Sequence, residues 1–315
     1  MGKSVVEQKL LEYPDVFADV CNAYCFGGEA VLREDGLEPM TASAFTRDAD
    51  DEMRGRLRDV RKKCYVDGRE YPMICQIENQ TDIDNTMPVR MLGYEYAAYE
   101  EQIDRYRDEN KKNKRDAGSR RIFSDQKLAP VMTLVLNYGD RRWKRPMGLH
   151  DMMKWPEKLP EEVKRRVVDY PLHVVDVAYS TKEERKRLKS DFRIVAEYLA
   201  CKDDIEEWEE FLKEDPQIRH VEALLDVLGA ISKDEKYDTL LELIRKKGQK
   251  EEWSMCYVLD EYMRRGLETS LEVMKAIQEK VNGGTDREIT LQDVSVQFEI
   301  SQELVGRYYD LVAGN

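Results

Sequence analysis

The stretch Arg58–Gln80, RDVRKKCYVDGREYPMICQIENQ, decides the fold, because it reads as two strands joined at Asp67-Gly68. Asp-Gly is a strong hairpin signal, since a type I′ turn needs positive φ at both central residues. With a two-residue loop, Val66 pairs with Arg69, and this pairing sets the register of every other residue. The stretch therefore predicts a β-hairpin with a defined register.

Successive side chains of a strand alternate between two faces, so the register sorts the hairpin into an apolar and a polar face. The apolar face, to which Lys62 is the exception, belongs on a core and carries Val60, Cys64, Val66, Tyr71, Met73, Cys75 and Ile77. The polar face, to which Ile74 is the exception, carries Asp59, Arg61, Lys63, Tyr65, Gln76, Glu78 and Gln80.

Two carboxylates and an amide meet at the open end of the polar face. In the predicted register Asp59 lies opposite Gln76 and diagonal to Glu78, and Gln80 follows two residues on. Diagonal neighbours are roughly 7–8 Å apart at Cα, a gap that one divalent ion can bridge. From spacing alone, these acids are either a metal site or solvated surface residues.

The arrangement D…ExQ resembles the D…(D/E)xK signature of the PD-(D/E)XK nucleases. The flanking segments YPDVFADVCNAYCFGGEAVL, RDV and IENQTDIDNTMPVRMLGYEYAAYEEQ resemble the Rpn family, which comprises recombination-promoting nucleases also labelled as transposases. The resemblance covers about residues 5–180 well and the remainder loosely. Glutamine stands where the superfamily has lysine, which leaves the role of Gln80 less defined than that of the acids.

This resemblance implies a catalytic site and its metal. Asp59, Glu78 and the backbone carbonyl of Asn79 would bind Mg²⁺, or another divalent cation such as Mn²⁺ or Ca²⁺. Gln80 would position the attacking water. Many folds of this superfamily add an acid from the first helix, and Asp19 is the candidate here; its alternative role is that of a capping or surface acid.

The order of predicted elements agrees, with one added strand, with the αβββαβ core of that superfamily, a mixed sheet flanked by helices. We expect a helix over 5–25, a short strand within 29–57, the hairpin, a helix over about 88–109, and strands over 129–139 and 172–179. From about residue 181 the composition becomes rich in Glu, Lys and Leu and predicts helices alone. The predicted domains are therefore 1–180, a nuclease-like domain; 181–282, a helical region; and 283–315, a small helix-turn-helix-like tail.

The net charge of −13 argues against simple nucleic-acid binding, since phosphate contacts use Lys and Arg. A local basic surface resolves the conflict, and the segment 105–127 is the candidate, with DNA contact and a solvated loop as the two alternatives. Arg90, in the first turn of a predicted helix, could meet a phosphate or pair with a nearby acid. The predicted DNA-binding residues are Arg90, Lys111, Lys112, Lys114 and Arg115.

The sequence thus predicts a metal-dependent DNA endonuclease, a hydrolase of phosphodiester bonds linked to recombination or mobile elements. The alternative is a non-catalytic nucleic-acid-binding or scaffold protein that keeps the fold. We expect a cytoplasmic protein that binds DNA and no membrane, because no apolar run approaches the length of a membrane span. The C-terminal helices are expected to contact a protein partner or a second copy of the chain.

Overall fold

The fold is given by a computed structural model that describes residues 3–40, 60–66, 72–115, 122–202, 204–233, 236–247, 253–298 and 300–313. Two features of the prediction, the Asp67-Gly68 turn and Asp59, lie outside these residues.

The strands are β1 (Leu37–Pro39), β2 (Val60–Tyr65), β3 (Pro72–Gln80), β4 (Val131–Asn137), β5 (His173–Asp176), β6 (Gln217–Ile218) and β7 (Trp253–Ser254). The helices that precede or lie between the first five strands are α1 (Lys3–Glu12), α2 (Pro14–Cys25), α3 (Met87–Lys112) and α4 (Glu161–Lys164). The later helices are α5 (Lys182–Arg187), α6 (Phe192–Cys201), α7 (Ile205–Leu212), α8 (Val221–Ser232), α9 (Lys236–Lys247), α10 (Met255–Asn282), α11 (Arg287–Phe298) and α12 (Gln302–Ala313).

The main sheet has five strands in the order β1-β2-β3-β4-β5. The strands β1 and β3 each pair antiparallel with β2, and β4 and β5 continue the sheet in parallel with β3. The α3 helix lies in the connection between the parallel strands β3 and β4, as such connections usually require. The expectation of a mixed sheet with flanking helices and a helical C-terminal region is confirmed. The C-terminal region is not all-helical, however, because it contains the short strands β6 and β7.

The predicted hairpin register is wrong by two residues. Gln76 faces Arg61 rather than Asp59, and Tyr65 faces Pro72. The cause is the length of the connection, because Pro72 lacks an N–H and is suited to the first position of a strand. A shift of two residues leaves the alternation of faces unchanged, so the sorting of side chains into two faces is correct for the described residues.

Both faces of the sheet are covered by helices. The predicted apolar face packs against α1 and α2, where Leu11, Phe17, Cys64 and Ile77 are each fully buried. The predicted polar face lies under α3 and is also largely buried, which explains why Ile74 belongs to it. A helix over 5–25 was expected as one piece, but it divides before Pro14, whose ring cannot continue the hydrogen bonding of α1.

Lys62, the exception on the apolar face, has a structural role. Its Nζ donates a 2.7 Å hydrogen bond to the backbone carbonyl of Glu12, the last residue of α1, and lies 5.4 Å from the ring centre of Phe17. A cation here satisfies a carbonyl that the helix itself leaves unpaired. Burial lowers the pKa of Lys62 below its ordinary value.

The chain forms two compact units, Met1–Glu252 and Trp253–Asn315. Helices α5 to α9 belong to the first unit, and Lys9 of α1 forms a 3.1 Å ion pair with Asp226 of α8. The second unit packs α10, α11 and α12 around Val273, Ile277, Val294 and Val305. The predicted division of the chain into domains after residues 180 and 282 stays a prediction.

Lys62→Ala should lower the free energy of unfolding by about 1–3 kcal/mol, because it removes a buried side chain whose Nζ hydrogen-bonds the carbonyl at the end of α1. Lys63→Ala is the matched control: this neighbour points to the other face, and its ion pair with Glu38 at 3.9 Å is partly exposed. The control should cost less than about 1 kcal/mol. Urea denaturation measures both, and equal losses would contradict the capping role of Lys62.

Candidate active site

Glu78 lies near the carboxyl end of β3, the central strand of the sheet, and its side chain is only 3% exposed. Its Oε1 accepts hydrogen bonds from Arg90 at 2.5 Å and from Gln80 at 2.6 Å. The alternative that Glu78 is a solvated surface residue is therefore wrong. A buried carboxylate without such partners would cost several kcal/mol, so Arg90 and Gln80 are what allow the charge to stay here.

The other carboxylate oxygen of Glu78 is buried and has no hydrogen-bond partner among the described residues. Buried polar atoms without a partner are rare, and each calls for an explanation such as a bound ion or water. Carboxylate oxygens are the ligands that Mg²⁺, Mn²⁺ and Ca²⁺ prefer. Glu78 thus fits the role of a metal ligand through Oε2, while its Oε1 is held by the protein.

Arg90 reaches Glu78 from the first turn of α3. Its guanidinium also donates to Asp84 at 2.7 Å and to the hydroxyl of Tyr94 at 3.2 Å. Burial opposes the charge of Arg90, but Glu78, Tyr94 and Asp84 together outweigh it and raise the pKa of the guanidinium. The sequence left two roles open for Arg90, contact with a phosphate or an ion pair with a nearby acid. The ion pair is present, and it joins α3 to the end of β3.

The start of α3 is fixed by the turn that precedes it. Asp84 Oδ1 accepts from the backbone N–H of Thr86 at 2.8 Å and from its hydroxyl at 2.6 Å, and Pro88 follows in the first helical turn. Burial alone would raise the pKa of Asp84, but the hydrogen bonds from Thr86 and the charge of Arg90 lower it. The segment TDIDNTMPVR therefore sets the position of Arg90.

A row of polar side chains crosses the carboxyl ends of the parallel strands. Gln80, Asn137 and Asp176 are in register on β3, β4 and β5. The amide of Asn137 donates to Asp176 Oδ1 at 2.7 Å, and the backbone N–H of Trp143 donates to the same carboxylate at 2.9 Å. In sheets with parallel strands, ligands bind beyond these strand ends.

Gly139 allows the loops that follow β3 and β4 to approach closely beside this row. A Cβ atom at this position would lie 2.5 Å from the backbone oxygen of Thr81, which no side chain tolerates. The Gly139 N–H also donates to the side-chain oxygen of Asn137 at 3.1 Å. The sequence Asn-Tyr-Gly at the end of β4 thus closes the edge of the site.

Sequence reasoning missed Asn137 and Asp176. A signal for each was present, since Asn137 ends the apolar run APVMTLVLN and Asp176 interrupts the apolar segment LHVVDV. A polar residue that ends a buried strand is placed at the edge where the neighbouring strands also end. Their contacts with each other and with Trp143 indicate that they shape the loop after β4.

The remaining predicted site residues lie apart from Glu78 or outside the described residues. Asp59 lies outside them, directly before Val60, which faces Ile77. Asp19 accepts 2.8 Å hydrogen bonds from the backbone N–H groups of Lys189 and Ser190, which fits its alternative capping role. That Asp19 acts as a metal ligand stays a prediction.

The basic segment lies at the opposite end of α3 from Arg90. The 22 residues between Arg90 and Lys112 correspond to about 33 Å of helix. Of its four predicted DNA-binding cations, two are paired with acids: Lys111 with Asp108 at 3.7 Å, and Arg115 with Asp125 at 3.4 Å. Lys112 and Lys114 are exposed.

A second group of possible metal ligands is occupied by an arginine. The ligand atoms of Glu197, Cys201 and Glu207 lie within 4.8 Å of one another. However, Arg185 donates to both carboxylates at 2.6 Å, so their charge is already balanced by a buried cation. This cluster is a structural ion-pair network of α5, α6 and α7.

The comparisons with known proteins agree with the resemblance read from the sequence. The family described as "Putative transposase, YhgA-like" matches residues 47–223, which is more than half of the chain. The chain belongs to this family, so the predicted membership in the Rpn and transposase group is confirmed. No curated protein and no solved structure matches the chain. Within the described ranges, no helix has both the length and the apolar character to span a membrane.

Arg90→Met should lower the free energy of unfolding by about 3 kcal/mol, because Glu78 would stay buried without its cation.

Arg105→Met is the control, since Arg105 lies on the same helix but forms an exposed 3.8 Å ion pair with Glu101. Its substitution should change stability by less than about 0.5 kcal/mol. Chemical denaturation of both variants gives the comparison. A loss for Arg90→Met no larger than that for Arg105→Met would show that Glu78 does not need its cation.

Proposed function

We propose that the protein is a metal-dependent DNA endonuclease with a PD-(D/E)XK-type site, acting in recombination or on mobile elements. The family, whose description is that of a transposase, supports the link to mobile elements. The observation that carries the proposal is the buried Oε2 of Glu78, which has no partner among the described residues while its Oε1 is fixed. Such an oxygen is what a metal-binding carboxylate at the end of a central strand should offer.

The proposed ligands are Asp59, Glu78 and the backbone carbonyl of Asn79, with Asp19 as a further candidate. A divalent cation held there would lower the pKa of a bound water and neutralise charge that develops on the phosphate. Asp59 directly precedes β2, whose first described pair joins Val60 to Ile77. The proposal therefore puts the second acid one residue beyond this pair, beside Glu78.

Gln80 has two tasks in this proposal. Its Nε2 donates to Glu78 Oε1 and fixes the carboxylate, which leaves its own Oε1 to accept a hydrogen bond from a water. Unlike the lysine of the superfamily signature, an amide carries no charge. Gln80 can orient a nucleophile but cannot supply a proton or neutralise a phosphate.

Arg90 balances the charge of Glu78 when no metal is bound. A cation entering the site would compete with the guanidinium for the same carboxylate, and a displaced Arg90 would be free to contact a phosphate oxygen. Arg90 is 22% exposed, so the movement required is small. This coupling reconciles the observed ion pair with the proposed contact to DNA.

The geometry of α3 restricts how DNA could be bound. If Arg90 and the cations at positions 111–115 of the basic segment both contact phosphates, the contacts are about 33 Å apart along the helix. One turn of B-DNA spans about 34 Å. The proposed binding mode therefore places the two contacts about one turn apart, with the scissile phosphate near Arg90.

The alternative function is a non-catalytic nucleic-acid-binding or scaffold protein. The observation that favours it is the 2.5 Å ion pair between Arg90 and Glu78, which already satisfies one carboxylate oxygen without a metal. The net charge of −13 also favours this alternative. Under this alternative, DNA or a partner binds without hydrolysis, and no divalent cation is required.

Glu78→Gln and Asp59→Asn should each abolish nicking of supercoiled plasmid DNA in Mg²⁺ or Mn²⁺, because each removes a charged ligand but keeps the shape of the side chain. Gln80→Ala should reduce the rate less, since it removes no charge. Calorimetry should show that Glu78→Gln loses the binding of Mn²⁺ that the wild-type protein shows.

Asp82→Asn is the matched control for these variants. It removes a negative charge two residues from Gln80, but the side chain of Asp82 is 90% exposed. It should nick at close to the wild-type rate. Nicking that persists in Glu78→Gln, or wild-type protein that neither cuts nor binds Mn²⁺, would favour the non-catalytic alternative.

Neutralising the basic segment should reduce the salt dependence of DNA binding. We expect the quadruple variant Lys111→Gln, Lys112→Gln, Lys114→Gln and Arg115→Gln to flatten the plot of log K against log salt. The change should be up to about 0.9 per lost phosphate contact on B-DNA. Fluorescence anisotropy with a labelled duplex in Ca²⁺ measures the slope.

A quadruple variant of exposed lysines elsewhere serves as the control, with glutamine at positions Lys154, Lys158, Lys186 and Lys189. It makes the same change in net charge. If both variants flatten the slope equally, overall charge rather than the basic segment determines binding. If neither does, the phosphate-binding surface lies elsewhere.

A further inference from the structure

Four of the six cysteines come together on the sheet face opposite Glu78. Cys64 on β2 and Cys75 on β3 are fully buried, and Cys21 on α2 is nearly so. Cys25, the last residue of α2, is only half-buried. None of these thiols forms a disulfide bond. The cluster therefore runs from the buried sheet to one thiol that small molecules can reach.

Cys25 ends this cluster beside a histidine from another element. Its Sγ lies 4.0 Å from Nδ1 of His173, the first residue of β5. The side chain of His173 is exposed, so the pair lies at the protein surface. A thiol at hydrogen-bond distance from an imidazole is the arrangement that activates cysteine nucleophiles.

The surroundings favour the thiolate at this position. The hydrogen bond from Cys21, followed by the hydrogen bond and charge of His173, outweighs burial and lowers the pKa of Cys25 to about 6. In turn, the hydrogen bond with Cys25 raises the pKa of His173 above its ordinary value. The ionisable groups that face Cys25 are His173, Cys21 and Cys75.

We infer that Cys25 is a nucleophilic thiol, activated by His173, at which small electrophiles and hydroperoxides modify the protein. Its position is distinct from the proposed nuclease site. His173 is in register with Leu134 and through it with Ile77, so it lies on the α1 and α2 side of the sheet. Glu78 points to the other side, under α3.

The two reactions below need no group besides Cys25, His173 and the electrophile. With an alkyl halide, the Cys25 thiolate forms a carbon–sulfur bond as the carbon–halogen bond breaks and halide leaves. With a hydroperoxide, the thiolate attacks the outer peroxide oxygen and the O–O bond breaks. The leaving alkoxide or hydroxide takes a proton from His173. The sulfur is oxidised by two electrons to sulfenic acid, and the peroxide is reduced.

Cys256 provides an internal comparison in the same molecule. It forms no disulfide bond and is half-buried like Cys25, at the start of α10. An ordinary thiol has a pKa of about 8.5 and is almost entirely protonated at pH 6. A thiolate of lower pKa is more abundant but intrinsically less nucleophilic, so the net advantage of Cys25 at pH 6 should be roughly tenfold.

The test is the rate of iodoacetamide labelling of the intact chain, followed for each cysteine by peptide mass spectrometry between pH 5 and pH 9. Cys25 should react about tenfold faster than Cys256 at pH 6, and its rate should reach a plateau by about pH 7. A Cys25 rate that rises in parallel with that of Cys256 up to pH 9 would overturn the inference.

His173→Asn tests the role of the imidazole, because asparagine keeps a hydrogen-bonding group without the charge. The variant should lower the Cys25 rate at pH 6 severalfold, by less than the full advantage over an ordinary thiol because Cys21 remains, and leave Cys256 unchanged. Hydrogen peroxide followed by dimedone should label Cys25 in the wild type and much less in the variant. Circular dichroism establishes that the variant is folded. A folded variant with the wild-type rate profile would refute activation by His173.

Discussion

The site depends on one buried ion pair, Glu78 with Arg90. The carboxylate is carried by the central strand and the guanidinium by the first turn of α3, so the pair joins the sheet to the helix that covers it. Neither charge would stay buried without the other, because desolvation costs several kcal/mol for each. The turn at Asp84 and Thr86 starts α3 so that Arg90 can reach Glu78, and Asp84 also accepts a hydrogen bond from Arg90.

Much of the fold follows from the residues, and the limits have physical causes. Alternation along β2 and β3 assigns the two faces correctly, since it depends only on parity. The register was wrong because a two-residue loop was assumed where Pro72 starts the strand. Lys62 looked like an exception because its partner, the carbonyl of Glu12, belongs to a helix distant in sequence.

The candidate site was predictable only in part. Glu78 and Gln80 follow from the motif, but their burial does not, because it comes from α3 packing over a face that looked polar. Asn137 and Asp176 are separated from the motif by more than 50 residues, and only the parallel pairing of β3, β4 and β5 brings them into register with Gln80. Family membership is shown, whereas the metal and the chemistry rest on the proposal.

The central place of β3 has a consequence for how the site fluctuates. The strand is hydrogen-bonded on both sides, to β2 and to β4. Its amides around Ile77 and Glu78 can therefore exchange with solvent only through large-scale opening, unlike those of an edge strand such as β5. The proposed metal ligand is carried by the slowest-exchanging part of the sheet. Arg90, at the start of a helix, is the partner that can move on a faster timescale.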